Sequence, residues 1–316
     1  MPMKRVRTMI DWLIDPLRDD GFRRAMLDVL AVSIVAGVVG TFIVLRGTAF
    51  LGDALAHAVF PGIVIAFLIG SSLLIGALIA GVVTTLLIAG LTANRRVPSD
   101  TAIGVIFTGA FALGVVLISE ETIEGEELEH ILFGDPLNAT WNDVTLTLAI
   151  GAAVVASVIV LRRLFVAGSF DPSGARAMGL HTVMLDMLLL GFTALTVVIA
   201  FKAVGNILVI ALLVTPAATA RLFVDRLLHM MAGSVAAACM ASVVGLYIGH
   251  HGDVSPGGAI VLVSTAGFAL AWLFAPRHGV LSQSFPWERA RLRSEPAEAV
   301  AEVIIESRRI QEPHAG

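Results

Sequence analysis

Charge is scarce in this chain: 15 % of its 316 residues are Asp, Glu, Lys or Arg, against about 25 % in an ordinary soluble domain. With 57 % apolar residues and a mean hydropathy of +0.89, that shortage excludes a soluble globular protein and predicts a polytopic membrane protein. The short alternating segments of a membrane barrel are lacking. The expected fold is therefore all-α, a helical bundle whose spans satisfy their own backbone groups in lipid. Cysteine is nearly absent: Cys239 alone excludes an internal disulfide and a thiolate metal cluster. No P-loop pattern occurs, so the chain does not hydrolyse a nucleotide by that route itself. The N-terminus lacks an uninterrupted apolar core and a small-residue cleavage site, which argues against a signal peptide. Residues 1–25 mix Trp12, Leu13, Ile14 and Phe22 with acids and bases, as an amphipathic segment lying on lipid does. A net charge of −4 gives no support for nucleic acid as a partner.

What the chain does have is apolar stretches of about twenty residues, the length that crosses a bilayer. Nine are expected, at Met26–Leu45, Leu55–Ile69, Ser72–Ala93, Thr101–Ser119, Val144–Leu161, Val183–Phe201, Gly205–Phe223, Met230–Gly249 and Gly257–Ala275. Together they define a membrane domain over residues 26–276, followed by a polar tail over 277–316. Cytoplasmic loops carry the excess of Lys and Arg. Arg95-Arg96, Arg162-Arg163 with Arg176, Arg221 with Arg226, and Arg277 onward alternate consistently and are assigned to the cytoplasm. The stretch Glu120 to Asn142 has no Lys or Arg and is assigned outside, as is the His250-His251 turn. Nine crossings would put the basic N-terminus outside. The segment Leu55–Ile69, short and broken by Pro61-Gly62, is expected to be re-entrant, which gives eight crossings and a cytoplasmic N-terminus.

Asp53 and His57 lie four residues apart, a spacing that puts a carboxylate and an imidazole on one helical face. Such groups near a bilayer are costly and mark ion pathways. Oxygen with imidazole suits zinc, manganese or ferrous iron. Two ligands make a weak site, which a transporter needs, and a symmetric dimer would double them to four. The same residues also fit a plainer reading, a helix-capping Asp53 with His57 bonded to a backbone carbonyl. Asp171-Pro172 opens and Gly179 closes a short helix over Ala175 and Arg176, ending at Leu180; it is either a simple connection or a device that receives motion from a cytosolic partner. Lys202 is expected where two spans turn, its ammonium reaching the interface. Gly205 and Pro216 follow on the next span, with Pro216 kinking it and Thr215 or Thr219 satisfying the freed groups. The acidic run Glu120, Glu121, Glu124, Glu126, Glu127 and Glu129, with His130 and Asp135, is a solvated loop, a cation-concentrating entrance or a docking site for a partner.

In order along the chain stand Val44-Leu-Arg46-Gly, Gly52-Asp53-Ala-Leu-Ala-His57-Ala-Val-Phe-Pro61-Gly62, Asp100-x-Ala-Ile-Gly104 with Phe107-Thr-Gly-Ala110, Leu132-Phe-Gly-Asp-Pro-Leu137, Phe170-Asp-Pro172 to Gly179-Leu180, and Lys202-x-x-Gly205 to Pro216-Ala-Ala-Thr-Ala220. From about Phe22 to Ala275 the sequence resembles the membrane subunits of bacterial ABC importers for zinc, manganese and iron, the ABC-3 metal permeases. The resemblance implies a type II ABC importer-like permease of the bacterial inner membrane, homodimeric and without nucleotide chemistry of its own. A cytosolic ABC ATPase would dock on the Asp171–Leu180 helix, and an external metal-binding receptor would deliver Zn²⁺ or Mn²⁺, or Fe²⁺. It further implies that Asp53 and His57 contact the metal in transit and that no cofactor is permanently bound. A proton-coupled secondary transporter, with His57 as the proton site, is the alternative.

Overall fold

The computed structural model describes residues 9–93, 97–119, 139–252 and 254–275, with backbone alone at 9–13, 93, 99 and 202–207. Helix is the only regular structure among them. The elements are α1 (Met9–Arg18), α2 (Asp20–Leu45), α3 (Phe50–Ala58), α4 (Phe60–Leu68), α5 (Leu73–Ala93), α6 (Ser99–Ile118), α7 (Trp141–Phe170), α8 (Pro172–Ala177), α9 (Thr182–Phe223), α10 (Leu227–Gly252) and α11 (Pro256–Phe274). Residues up to Phe268 form one compact unit; a second begins at Ala269 and contributes the end of α11. Among the described residues, eight segments are long and apolar enough to cross a membrane.

Helix α2 is the centre of the bundle. Asp19 opens it by accepting the Phe22 N–H at 3.1 Å, and 78 % of its apolar window is buried against 17 % for α6. Phe42, Val39 and Val32 meet Leu55 of α3, Phe165 of α7 and Leu212 of α9 in one continuous core. Polar contacts lock the same interface. Ser33 gives its only proton to the Val29 carbonyl at 2.7 Å, so Ser242 of α10 must donate to the Ser33 oxygen, also at 2.7 Å. Such hydroxyl bridges bind helices where apolar burial offers no preference over lipid.

The expected span at Leu55–Ile69 starts earlier and is two helices. Pro61 has no N–H to offer the His57 carbonyl, four residues back, and the helix breaks at Val59, whose N–H turns to Leu55. Pro61 then sits in the first turn of α4, where a missing N–H costs nothing. Gly62 packs against Gly76 of α5 so closely that a Cβ on either would strike the other's carbonyl oxygen, and Ala66 and Ala80 flank the crossing. Small residues four apart on both helices allow that approach.

The two stretches expected on either side of Lys202 form a single helical run, α9, of 42 residues. Straight, it would place Asp186 and Arg221 about 52 Å apart. Both lie instead at the C-terminal end of α2: Asp186 accepts from Arg46 at 2.6 Å, and Arg221 donates to the Val44 carbonyl at 3.1 Å. The helix therefore doubles back between Asp186 and Arg221. The first arm passes Gly81 of α5 at Ala194 and Val198, and the return arm meets Gly40 of α2 and Gly52 of α3 at Leu213. Pro216 lies inside the return arm, where Thr219 Oγ1 donates to the Thr215 carbonyl at 2.8 Å.

This corrects the expected arrangement of the spans. Phe50–Leu68 is apolar and, at 19 residues, long enough to cross, not the short segment that Leu55–Ile69 suggested. Arg46, Ser169, α8, Asp186 and Arg221 mark one end of the bundle. The Phe22 ring meets His250 at 5.0 Å and Tyr247 at 5.3 Å, so α2 begins at the opposite end. The N-terminus is thus at the end away from α8. Among the described residues there, Arg18 pairs with Asp15 at 3.7 Å and Arg23 and Arg24 pair with Asp20.

Candidate functional site

Helix α3 carries the Asp53/His57 pair. Its N-cap is Ala49, which makes no side-chain cap bond, and Asp53 is the fourth helical residue. The capping reading of Asp53 therefore falls. The second half of that reading holds in part, because His57 Nδ1 lies 3.1 Å from the Asp53 carbonyl oxygen. It also lies 3.2 Å from Asp53 Oδ1. Nδ1–H can serve both oxygens, which leaves the Nε2 lone pair and the second carboxylate oxygen uncommitted. Both side chains are a little over a quarter exposed, so an ion or water can reach them.

Helix α6 supplies the wall. Phe107 and Phe111 each present the His57 ring with an edge contact, at 5.5 Å and 5.3 Å, and Phe50 meets Phe107 at 5.9 Å. The two phenylalanine rings lie side by side, 6.3 Å apart, and brace the imidazole from one wall. The sequence already holds the signal: Phe107 and Phe111 are four apart, one helical turn. What it does not hold is which face of α6 turns toward α3.

Among the described residues no three His, Cys, Asp or Glu side chains come together. Among the described residues the site is thus one carboxylate and one imidazole. Helix α8 forms as the local signals require. Asp171 Oδ1 accepts the Gly174 N–H at 2.8 Å, Pro172 takes the first position, Arg176 Nε donates to the Pro172 carbonyl at 3.0 Å, and Gly179 turns the chain at φ 80°. Ala175 is fully buried, and the Leu180 N–H returns to its carbonyl at 3.0 Å. Arg176 and Met178 face out.

His250 and His251 are not on a turn. They close the last turn of α10, with His251 Nδ1 3.0 Å from the Tyr247 carbonyl oxygen. The acidic run Glu120 to Glu129, His130, Asp135 and the tail over 277–316 lie outside the described residues, as do the side chains of Lys202 and Gly205. Sequence reasoning missed one polar node, Arg46 with Asp186, although an arginine ending an apolar span was a visible signal.

Eight apolar spans, a half-open carboxylate–imidazole pair among them and a small helix set between two spans at one end are features of a membrane transport subunit. The profile of the ABC 3 transport family matches residues 18–275, and the chain belongs to that family. It is 43 % identical over 269 residues to the manganese transport system membrane protein MntC of Halalkalibacterium halodurans, covering 85 % of this chain and 92 % of that one. A probable iron transport system membrane protein of Haemophilus influenzae is 37 % identical, with 84 % and 98 % covered. Among solved structures, PsaBC from Streptococcus pneumoniae in complex with Fab superposes with a TM-score of 0.78 at 34 % identity, covering 88 % of this chain and all of that one.

Proposed function

We propose that the chain is the permease of an ABC importer that carries Mn²⁺ into the cell, with Asp53 and His57 contacting the ion in transit. The observation that carries this reading is the 3.2 Å pairing of Asp53 Oδ1 with His57 Nδ1 on a partly open face. A hard carboxylate with one imidazole accepts Mn²⁺ and also Fe²⁺ or Zn²⁺, and the manganese system to which MntC belongs favours Mn²⁺. Two protein ligands bind weakly enough to release, as conduction demands. A second copy of the chain brings its own pair across a two-fold axis and raises the count to four.

The end that bears α8 is cytoplasmic on this reading. Arg162, Arg163, Arg176, Arg221 and Arg226 favour that side, and a separate ABC ATPase docks on the exposed face of α8. An external metal-binding receptor meets the end at His250, and the N-terminus shares that side. The chain itself performs no nucleotide chemistry. The setting is a bacterial inner membrane.

The test is ⁵⁴Mn uptake into vesicles holding the purified complex of permease, ATPase and receptor. ATP inside the ATPase compartment should drive uptake. His57→Ala should lower it by more than about tenfold, as loss of a metal contact does, with the complex still assembled. Uptake driven by a proton gradient without ATP would support the secondary transporter instead, and full uptake by His57→Ala would defeat the assignment of the site.

A further inference from the structure

The bundle end that carries α8 is tied together by one side chain that the reading above does not use. Arg46 follows the last residue of α2. Its Nε donates to Ser169 Oγ at 2.8 Å and its Nη1 to Asp186 Oδ1 at 2.6 Å. Ser169 is free to accept, because its own proton goes to the Phe165 carbonyl at 2.6 Å. Ser169 lies two residues before the Asp171 cap of α8, and Asp186 lies in the first turns of α9, just after it. One guanidinium thus holds both spans that flank α8. Nη2 is buried and has no hydrogen-bond partner among the described residues, an expensive state for a charged donor. The fork is able to gain a contact if its surroundings move.

On its other side Arg46 is joined to the site by a stiff turn. The Arg46 N–H bonds Phe42, Gly47 at φ 70° bonds Val44, and the Thr48 N–H bonds Ile43. The Leu51 N–H then bonds Thr48 as α3 begins. Asp53 is seven residues from Arg46 with no flexible linker between. A cavity of about 240 Å³ lies directly under this turn, lined by Arg46, Leu51, Ile88, Ile103, Asp186 and Leu190. Its volume gives the start of α3 room to shift between two packings, the kind of element that switches access.

We infer that Arg46 is a positioning residue for transport: its guanidinium passes displacement of α8 to α3 and so moves Asp53 and His57. The inference rests on the proposed importer function. The experiment uses the full complex in proteoliposomes, with Mn²⁺ delivered by its receptor, and measures ATP hydrolysed and metal moved in the same sample. Arg46→Ala should keep the basal hydrolysis rate and the half-saturating Mn²⁺ concentration while metal moved per ATP falls more than about tenfold. Arg46→Lys should recover only part, since an ammonium reaches one partner where the fork reaches two. If Arg46→Ala does not assemble, Asp186→Asn breaks the same tie from its exposed end and should show the same uncoupling. Exchange of the pair, Arg46→Asp with Asp186→Arg, should transport better than either single variant. Wild-type metal per ATP in whichever single variant assembles, hydrolysis and transport falling in equal proportion, or an exchanged pair no better than its singles would each overturn the inference. Absence of ATP-driven Mn²⁺ uptake by the wild-type complex would defeat the importer reading, and this inference with it.

Discussion

The imidazole of His57 is held between Asp53 and the wall that Phe107 and Phe111 form together. Its orientation is thus set before an ion arrives. Asp53→Asn separates charge from geometry at this point: the amide oxygen still accepts from Nδ1–H, but the negative charge is gone. We expect the half-saturating Mn²⁺ concentration to rise more than about tenfold in vesicle uptake titrations, with assembly unchanged. Phe111→Ala should leave the charge and free the ring. Each aromatic edge contact is worth about 0.5–1.5 kcal/mol, so a lower transport rate with a modest loss of thermal stability is expected in unfolding scans of the complex. The pair itself was legible in the sequence because a four-residue spacing has one meaning on a helix. The aromatic wall was not, since it depends on the rotation of α6 about its axis. Arg46 and Asp186 are 140 residues apart, and no local pattern connects them.

At the scale of elements, the break at Val59 and the crossing of α4 on α5 determine where the pair sits. Pro61→Ala restores an N–H to the His57 carbonyl and lets α3 and α4 merge. The complex should remain stable while uptake falls, because a continuous helix turns Asp53 and His57 away from α6; paired melting and uptake measurements on the same preparation check this. Gly62→Val should instead reduce folded yield, because its Cβ meets the Gly76 carbonyl oxygen on α5. Gly104→Ala on α6 is the matched control: open space surrounds that position, and removing a helical glycine gains about 1 kcal/mol. Proline and glycine announced the break and the close approach in the sequence. They did not reveal that this segment is long enough to cross, because Leu55–Ile69 counted without Phe50–Ala54 looks too brief to span.

For the whole molecule, the consequence is a chain whose N-terminus and α8 lie at opposite ends. Maleimide labelling tests it in a Cys239→Ala background: Leu17→Cys on α1 should react from outside the cell, and Ser173→Cys on α8 only after the cytoplasmic side is opened. The opposite pattern would invert the proposed orientation. Charge counting favours a cytoplasmic N-terminus, and the pairing of Arg18, Arg23 and Arg24 with Asp15 and Asp20 lessens that bias. The doubling-back of α9 bears on how the protein is made as well. The return arm is placed by what it packs against, with Leu213 in contact with two glycines of earlier helices. Its seat is on Gly40 of α2 and Gly52 of α3, which leave the ribosome long before it, so the earlier helices serve as the template on which this late segment is received.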